Sequence, residues 1–187
     1  MQAKFFAFLL FLFLSGLCAE ASAKVYLVSA GISDYPGTAN DLTLPANDAK
    51  TITWLYSKNT NVEYKQLIDH QATSAHILQA IQTVFAHAGV DDIIVFFFSG
   101  HGYPGGFLAY DERLSYAKIR KAMARSKAKN KMIFADACYS GKIRTSGRSS
   151  QSALAEAKKA NVMLFLSSRS NEVSIERKSM TNGFFTT

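Results

Sequence analysis

Cysteine is scarce: the 187-residue chain has two, with three prolines and a single tryptophan. Two thiols, Cys18 and Cys138, are too few for a disulfide framework or a thiolate zinc site. The histidines His70, His76, His87 and His101 lack the spacing of a zinc-ligand set, so neither a metal nor a cofactor is expected. Acidic residues are also short, 14 against 21 Lys and Arg, a net charge of +7. The surplus gathers between Lys118 and Lys131 and again between Lys142 and Lys159. Aromatics do not alternate with these positives, as they would on a single-strand binding face. They read as a solvated surface, with no nucleic-acid partner.

Long apolar runs are missing but for one. Phe5 to Leu14 is unbroken, follows Lys4, and precedes the small-residue triplet Ala21-Ser22-Ala23. It is too short to span a bilayer and has the layout of a secretory signal. The expectation is a signal peptide over 1–23 and a domain over 24–187, secreted or periplasmic, with no membrane attachment after cleavage. Leu17 argues against a lipoprotein anchored through Cys18. Cleavage after Ala23 would leave Cys138 as the lone thiol of the mature chain.

From Lys24 onward strands and helices alternate, which predicts a mostly parallel central sheet with helices on both faces. Strands are expected at 25–30, 64–68, 91–98, 131–136 and 162–166. Pro45 opens a helix whose Ala49, Ile52 and Tyr56 share a face, with Leu55 beside them. Ile77, Ile81, Val84 and Phe85 mark an amphipathic helix ending at Ala88-Gly89. Ser115 caps a third, running to about residue 127, with Tyr116, Ile119 and Met123 inward. Gly102 to Gly106 reads as a loop. Residues 142–152, rich in Ser, Gly and Arg, read as an exposed linker, followed by a short helix over 153–159. No internal repeat is visible, and Asn182 to Thr187 reads as the opening of an element that does not follow.

Two of the apolar strands deliver reactive side chains at their tips. Asp91 to Phe98 empties into Ser99-Gly100-His101-Gly102, and Lys131 to Ala135 hands over through Asp136 to Cys138. Open α/β sheets place their sites at such C-terminal strand ends. A lone Cys is as readily a buried structural residue, but the flanking Asp136 and Ser140-Gly141 favour a nucleophile. His101 would take the thiol proton and return it to a leaving amine. The N–H groups of Gly102 and Cys138 are the natural oxyanion donors.

The fragments FFSGHG (97–102) and DACYSG (136–141) resemble the caspase-like cysteine peptidases, closest to the metacaspase and bacterial branches. The resemblance extends to Asn47-Asp48-Ala49, to Leu166-Ser167-Ser168-Arg169, and to Asn182-Gly183-Phe184-Phe185-Thr186, in family order. It implies a caspase–haemoglobinase fold, a three-layer sandwich lacking its C-terminal element here. It also implies a His101–Cys138 dyad hydrolysing peptide bonds, and a peptide or protein substrate with basic P1. Asp48, Ser99 and Asp136 would line the S1 pocket, where paired carboxylates favour Arg or Lys. Bland readings exist for both acids: helix N-terminal charge for Asp48, a turn-forming cap for Asp136. Calcium dependence, common among metacaspases, is possible, with no site identifiable here. Tyr139 stands where metacaspases usually have His. Arg144, Arg148, Lys158 and Lys159 are candidate self-processing points.

Two rival readings remain in view. Cys138, Gly141, Arg144 and Thr145 spell the form of a cysteine-phosphatase loop, with Asp111 as general acid. The other rival is a non-catalytic caspase-like binding domain with an idle dyad.

Overall fold

A computed structural model describes residues 22–137 and 162–166 of the chain. In order, the elements are β1 (Val25–Gly31), α1 (Pro45–Ser57), β2 (Val62–Ile68), α2 (Ser74–Val84), β3 (Ile93–Ser99), β4 (Gly102–Tyr103), β5 (Gly106–Leu108), β6 (Arg113–Ser115), α3 (Tyr116–Ala124), β7 (Asn130–Asp136) and β8 (Val162–Leu166). Five strands form the main sheet in the order β2-β1-β3-β7-β8, and every pairing in it is parallel. The expected architecture is therefore present: a parallel sheet between helical layers.

Parallel strands covered on both faces read as continuous apolar runs, and β3 is the case in point. Phe96 and Phe98 face α2 and α3, together with Val28, Ala30, Ile133 and Ala135. Phe97 and Val95 face α1, with Leu27 and Ala49. All three phenylalanines are fully buried, each such side chain stabilising the fold by about 1.5–3 kcal/mol. The inward residues expected of α2 and α3, Ile77, Ile81, Val84 and Phe85, then Tyr116, Ile119 and Met123, are all buried. Ser115 does cap α3, accepting from the Lys118 N–H at 3.3 Å.

Four local expectations are corrected. Gly102 to Gly106 is not a loop but a hairpin, β4 against β5, extended by β6 into a three-stranded antiparallel sheet. Its strands are too short for an alternation to register in sequence. Phe107 stacks on Phe98 at 4.2 Å between ring centroids, which seats the small sheet against the tip of β3. Helix α2 ends at Val84, short of Ala88-Gly89, and α3 ends at Ala124. Leu55 points outward, as does Trp54, whose ring lies 3.5 Å beneath the Lys58 ammonium. Residues 1–21 of the expected signal peptide, the expected linker over 142–152, the expected helix over 153–159 and the chain after Leu166 fall outside the described residues.

Candidate active site

Strands β1, β3 and β7 end side by side, with Gly31 paired to Ser99 and Ser99 to Asp136. Side chains alternate along a strand, so Ser99 and Asp136 share the face of Phe97 and Phe134, the face that α1 covers. Helix α1 approaches this rim closely because Gly31 has no side chain: a Cβ there would lie 2.2 Å from the Pro45 carbonyl oxygen. Pro45 occupies the first turn, where its missing N–H is harmless, and Asp48 follows in that turn. Asp48 is 1% exposed and accepts a 2.8 Å hydrogen bond from the Ser99 hydroxyl, itself 2% exposed. Three residues predicted for substrate binding, Asp48, Ser99 and Asp136, therefore meet at one rim and on one face. A carboxyl at a helix N-terminus would satisfy its charge in solvent. Burial against Ser99 is a costlier placement.

His101 stands two residues beyond Ser99, at the start of the hairpin. Its backbone is held on both sides: the Leu108 N–H donates to the His101 carbonyl at 2.9 Å, and the His101 N–H donates to the Tyr35 hydroxyl at 3.0 Å. Its ring is half-buried, 5.0 Å from the Tyr35 ring between centroids. His101 Nε2 lies 2.8 Å from the Asn40 carbonyl oxygen. A carbonyl only accepts, so Nε2 carries the proton and Nδ1 is the basic nitrogen of the neutral ring.

The register pairs Gly102 with Phe107, while the Leu108 N–H bonds to His101. Gly102 is thus a non-hydrogen-bonded position of the antiparallel pair, and its N–H points away from β5. That direction suits the oxyanion role expected for Gly102.

Cys138, the other predicted dyad member and oxyanion donor, lies outside the described residues. The described residues of this segment end at Ala137, which is buried, and the Asp136 backbone carbonyl accepts from the Gly100 N–H at 3.2 Å. Asp111, the general acid of the phosphatase reading, is committed elsewhere: its carboxyl accepts the Ser74 and Glu112 N–H groups at 2.8 and 2.9 Å. Among the described residues no group of three or more His, Cys, Asp and Glu side chains is arranged to hold a metal ion.

Sequence reasoning missed three residues of this region. Tyr35 and Asn40 lie in a stretch rich in turn formers, yet both hold His101. Asp69 follows β2 with a positive φ of 49°, and its carboxyl accepts the Ser33 and Asp34 N–H groups at 2.8 and 3.0 Å. A hydrophobic tyrosine inside an otherwise polar loop was the one available signal.

A family model described as the caspase domain matches residues 28–187. Among solved structures, the crystal structure of protein GSU0716 from Geobacter sulfurreducens is similar, with a TM-score of 0.66 at 18% sequence identity. The alignment covers 87% of this chain and 79% of that one, a likeness of fold. No curated relative matches the chain.

Proposed function

Because the chain belongs to the caspase-domain peptidase family, we propose that it is an exported cysteine endopeptidase cutting after arginine or lysine with a His101–Cys138 dyad. The observation that carries this reading is the juxtaposition, at one sheet rim, of an imidazole held through Nε2 on the Asn40 carbonyl and a carboxyl, Asp48, buried against the Ser99 hydroxyl. In the proposed reaction His101 Nδ1 takes the Cys138 proton and the thiolate attacks the scissile carbonyl. The oxyanion accepts from the Gly102 and Cys138 N–H groups. The C–N bond breaks as His101 returns the proton to the amine. Water, deprotonated by the same nitrogen, then hydrolyses the thioester, which frees the acid and restores the thiol. Asp48, Ser99 and Asp136 supply the oxygens that receive a P1 guanidinium or ammonium.

The proposed export would leave Lys24 as the first residue, at the other end of β1. The Lys24 backbone N–H donates to Asp92 Oδ1 at 2.8 Å. Cleavage after Ala23 would turn that nitrogen into an ammonium already facing a carboxylate. N-terminal sequencing of exported protein checks this.

The test of the activity is a positional peptide library with Arg, Lys or Asp at P1, with and without calcium. Cleavage after Arg and Lys is expected, falling at least about a thousandfold in His101→Ala and Cys138→Ala. Self-cleavage near Arg144, Arg148, Lys158 or Lys159 is expected in the wild type and not in Cys138→Ala. Cleavage after Asp, or hydrolysis of a generic aryl phosphate in place of peptides, would overturn the reading. Peptide cleavage undiminished in both variants would overturn it as well.

A further inference from the structure

We propose that Tyr35 is the positioning residue of His101: its hydroxyl holds the histidine backbone so that the imidazole stays locked on Asn40. The inference rests on the reading of His101 as the base. The Tyr35 hydroxyl accepts from the His101 N–H at 3.0 Å and donates to the Leu108 carbonyl at 3.2 Å. The Leu108 N–H in turn donates to the His101 carbonyl at 2.9 Å. One oxygen atom thus closes a ring through the tip of β3, the hairpin and the loop after β1.

The chain makes room for that oxygen. Gly100 adopts a φ of +152°, and a Cβ there would lie 2.7 Å from the Tyr35 hydroxyl. Burial raises the Tyr35 phenol well above its ordinary range, so it remains a neutral donor and acceptor at any working pH.

The same loop also holds the ring. Asn40, five residues on, supplies the carbonyl that takes His101 Nε2–H. The loop is closed on itself, with the Tyr35 N–H on Asp41 Oδ1 at 3.1 Å and the Leu42 N–H on the Ser33 carbonyl at 2.8 Å. Asp69 ties it to the end of β2 through Ser33 and Asp34. Backbone and imidazole of His101 are therefore gripped by one closed segment, and the grip on the backbone passes through a single hydroxyl. A tyrosine kept only to fill the core would have no use for that oxygen.

Tyr35→Phe removes the hydroxyl and keeps the ring. Expected are a fall in kcat on an Arg amide of about tenfold with KM within twofold. Nitrogen NMR of the imidazole, recorded in Cys138→Ala so that no turnover is needed, should show a smaller fraction of the Nε2–H tautomer. Site-specific 3-fluorotyrosine at position 35, which keeps the oxygen, should restore both values and serves if the phenylalanine variant does not fold. Unchanged kcat and tautomer in an active Tyr35→Phe enzyme would overturn the positioning role and leave the peptidase reading standing. A changed tautomer in a chain whose wild type cleaves nothing would do the reverse. A fluorotyrosine protein as impaired as Tyr35→Phe would also overturn it.

Discussion

The two ends of the central sheet use similar polar groups in opposite ways. At the N-terminal end, Glu63 sits between Lys24 at 3.0 Å and His87 at 2.6 Å, all three side chains a third or more exposed. Water shares the work there, and such a cluster adds little to stability. At the C-terminal end, Asp48 and Ser99 are 1–2% exposed, and a glycine at position 31 is required for the helix that brings Asp48 in. Folding gains nothing from a buried carboxyl that an apolar residue would not supply more cheaply. On the proposed reading, the C-terminal rim is where binding takes precedence over stability.

That contrast can be broken most sharply at Asp48. Asp48→Asn keeps shape and an oxygen acceptor but removes the negative charge. If the rim is an S1 pocket, losing that charge costs about 3 kcal/mol of transition-state binding for an Arg substrate. This is read as a fall of about a hundredfold in kcat/KM. Cleavage at a neutral P1 should fall far less, and equal losses for both substrates would show that Asp48 only supports the fold.

A smaller effect is expected one layer out. Asp69→Ala strips the acceptor from two loop N–H groups and places alanine at positive φ. A loss of about 2 kcal/mol in urea unfolding is expected, against about 1 kcal/mol for Asp69→Asn, which tolerates that conformation. Equal losses would mean that neither the acceptor oxygen nor the backbone conformation contributes.

The smallest effect belongs to the exposed end. Burial pushes the Glu63 carboxyl up, but the hydrogen bonds from His87 and Lys24 and their charges outweigh it and hold the group below its ordinary 4.5. Its folded value is depressed, so its contribution is present above that ordinary value and is lost as pH falls through the depressed one. Glu63→Gln should therefore lower stability by about 0.5 kcal/mol at neutral pH, leave activity intact, and flatten the acid limb below pH 4.5. An activity loss rivalling that of Asp48→Asn would erase the contrast between the two ends.

Much of this was legible in sequence because buried parallel strands and amphipathic helices write their burial into composition. The apolar run expected as a strand over 91–98 could hardly be anything but a central one, and Ser115 announced the start of α3. The rim residues Asp48, Ser99 and Asp136 were legible only because short fragments in a fixed order resemble a family. The hairpin was not, since Gly102, Pro104, Gly105 and Gly106 serve loops and tight turns alike. Trp54 and Leu55 misled in the other direction, being large apolar residues on the solvent side of α1. Tyr35, Asn40 and Asp69 escaped because each acts on a partner more than thirty residues away in sequence. A turn-rich loop carries no period from which such a partner can be inferred.

By itself the sequence determined the layers: hydrophobic burial is a local tally of apolar side chains, and its periodicity survives in the linear order. Only the tertiary structure decided which carboxyl is buried beside Ser99, which nitrogen of His101 is basic, and which hydroxyl holds it. Those properties depend on directions and distances between segments, and a hydrogen bond that forms at 3 Å across the fold leaves no mark on the residues in between.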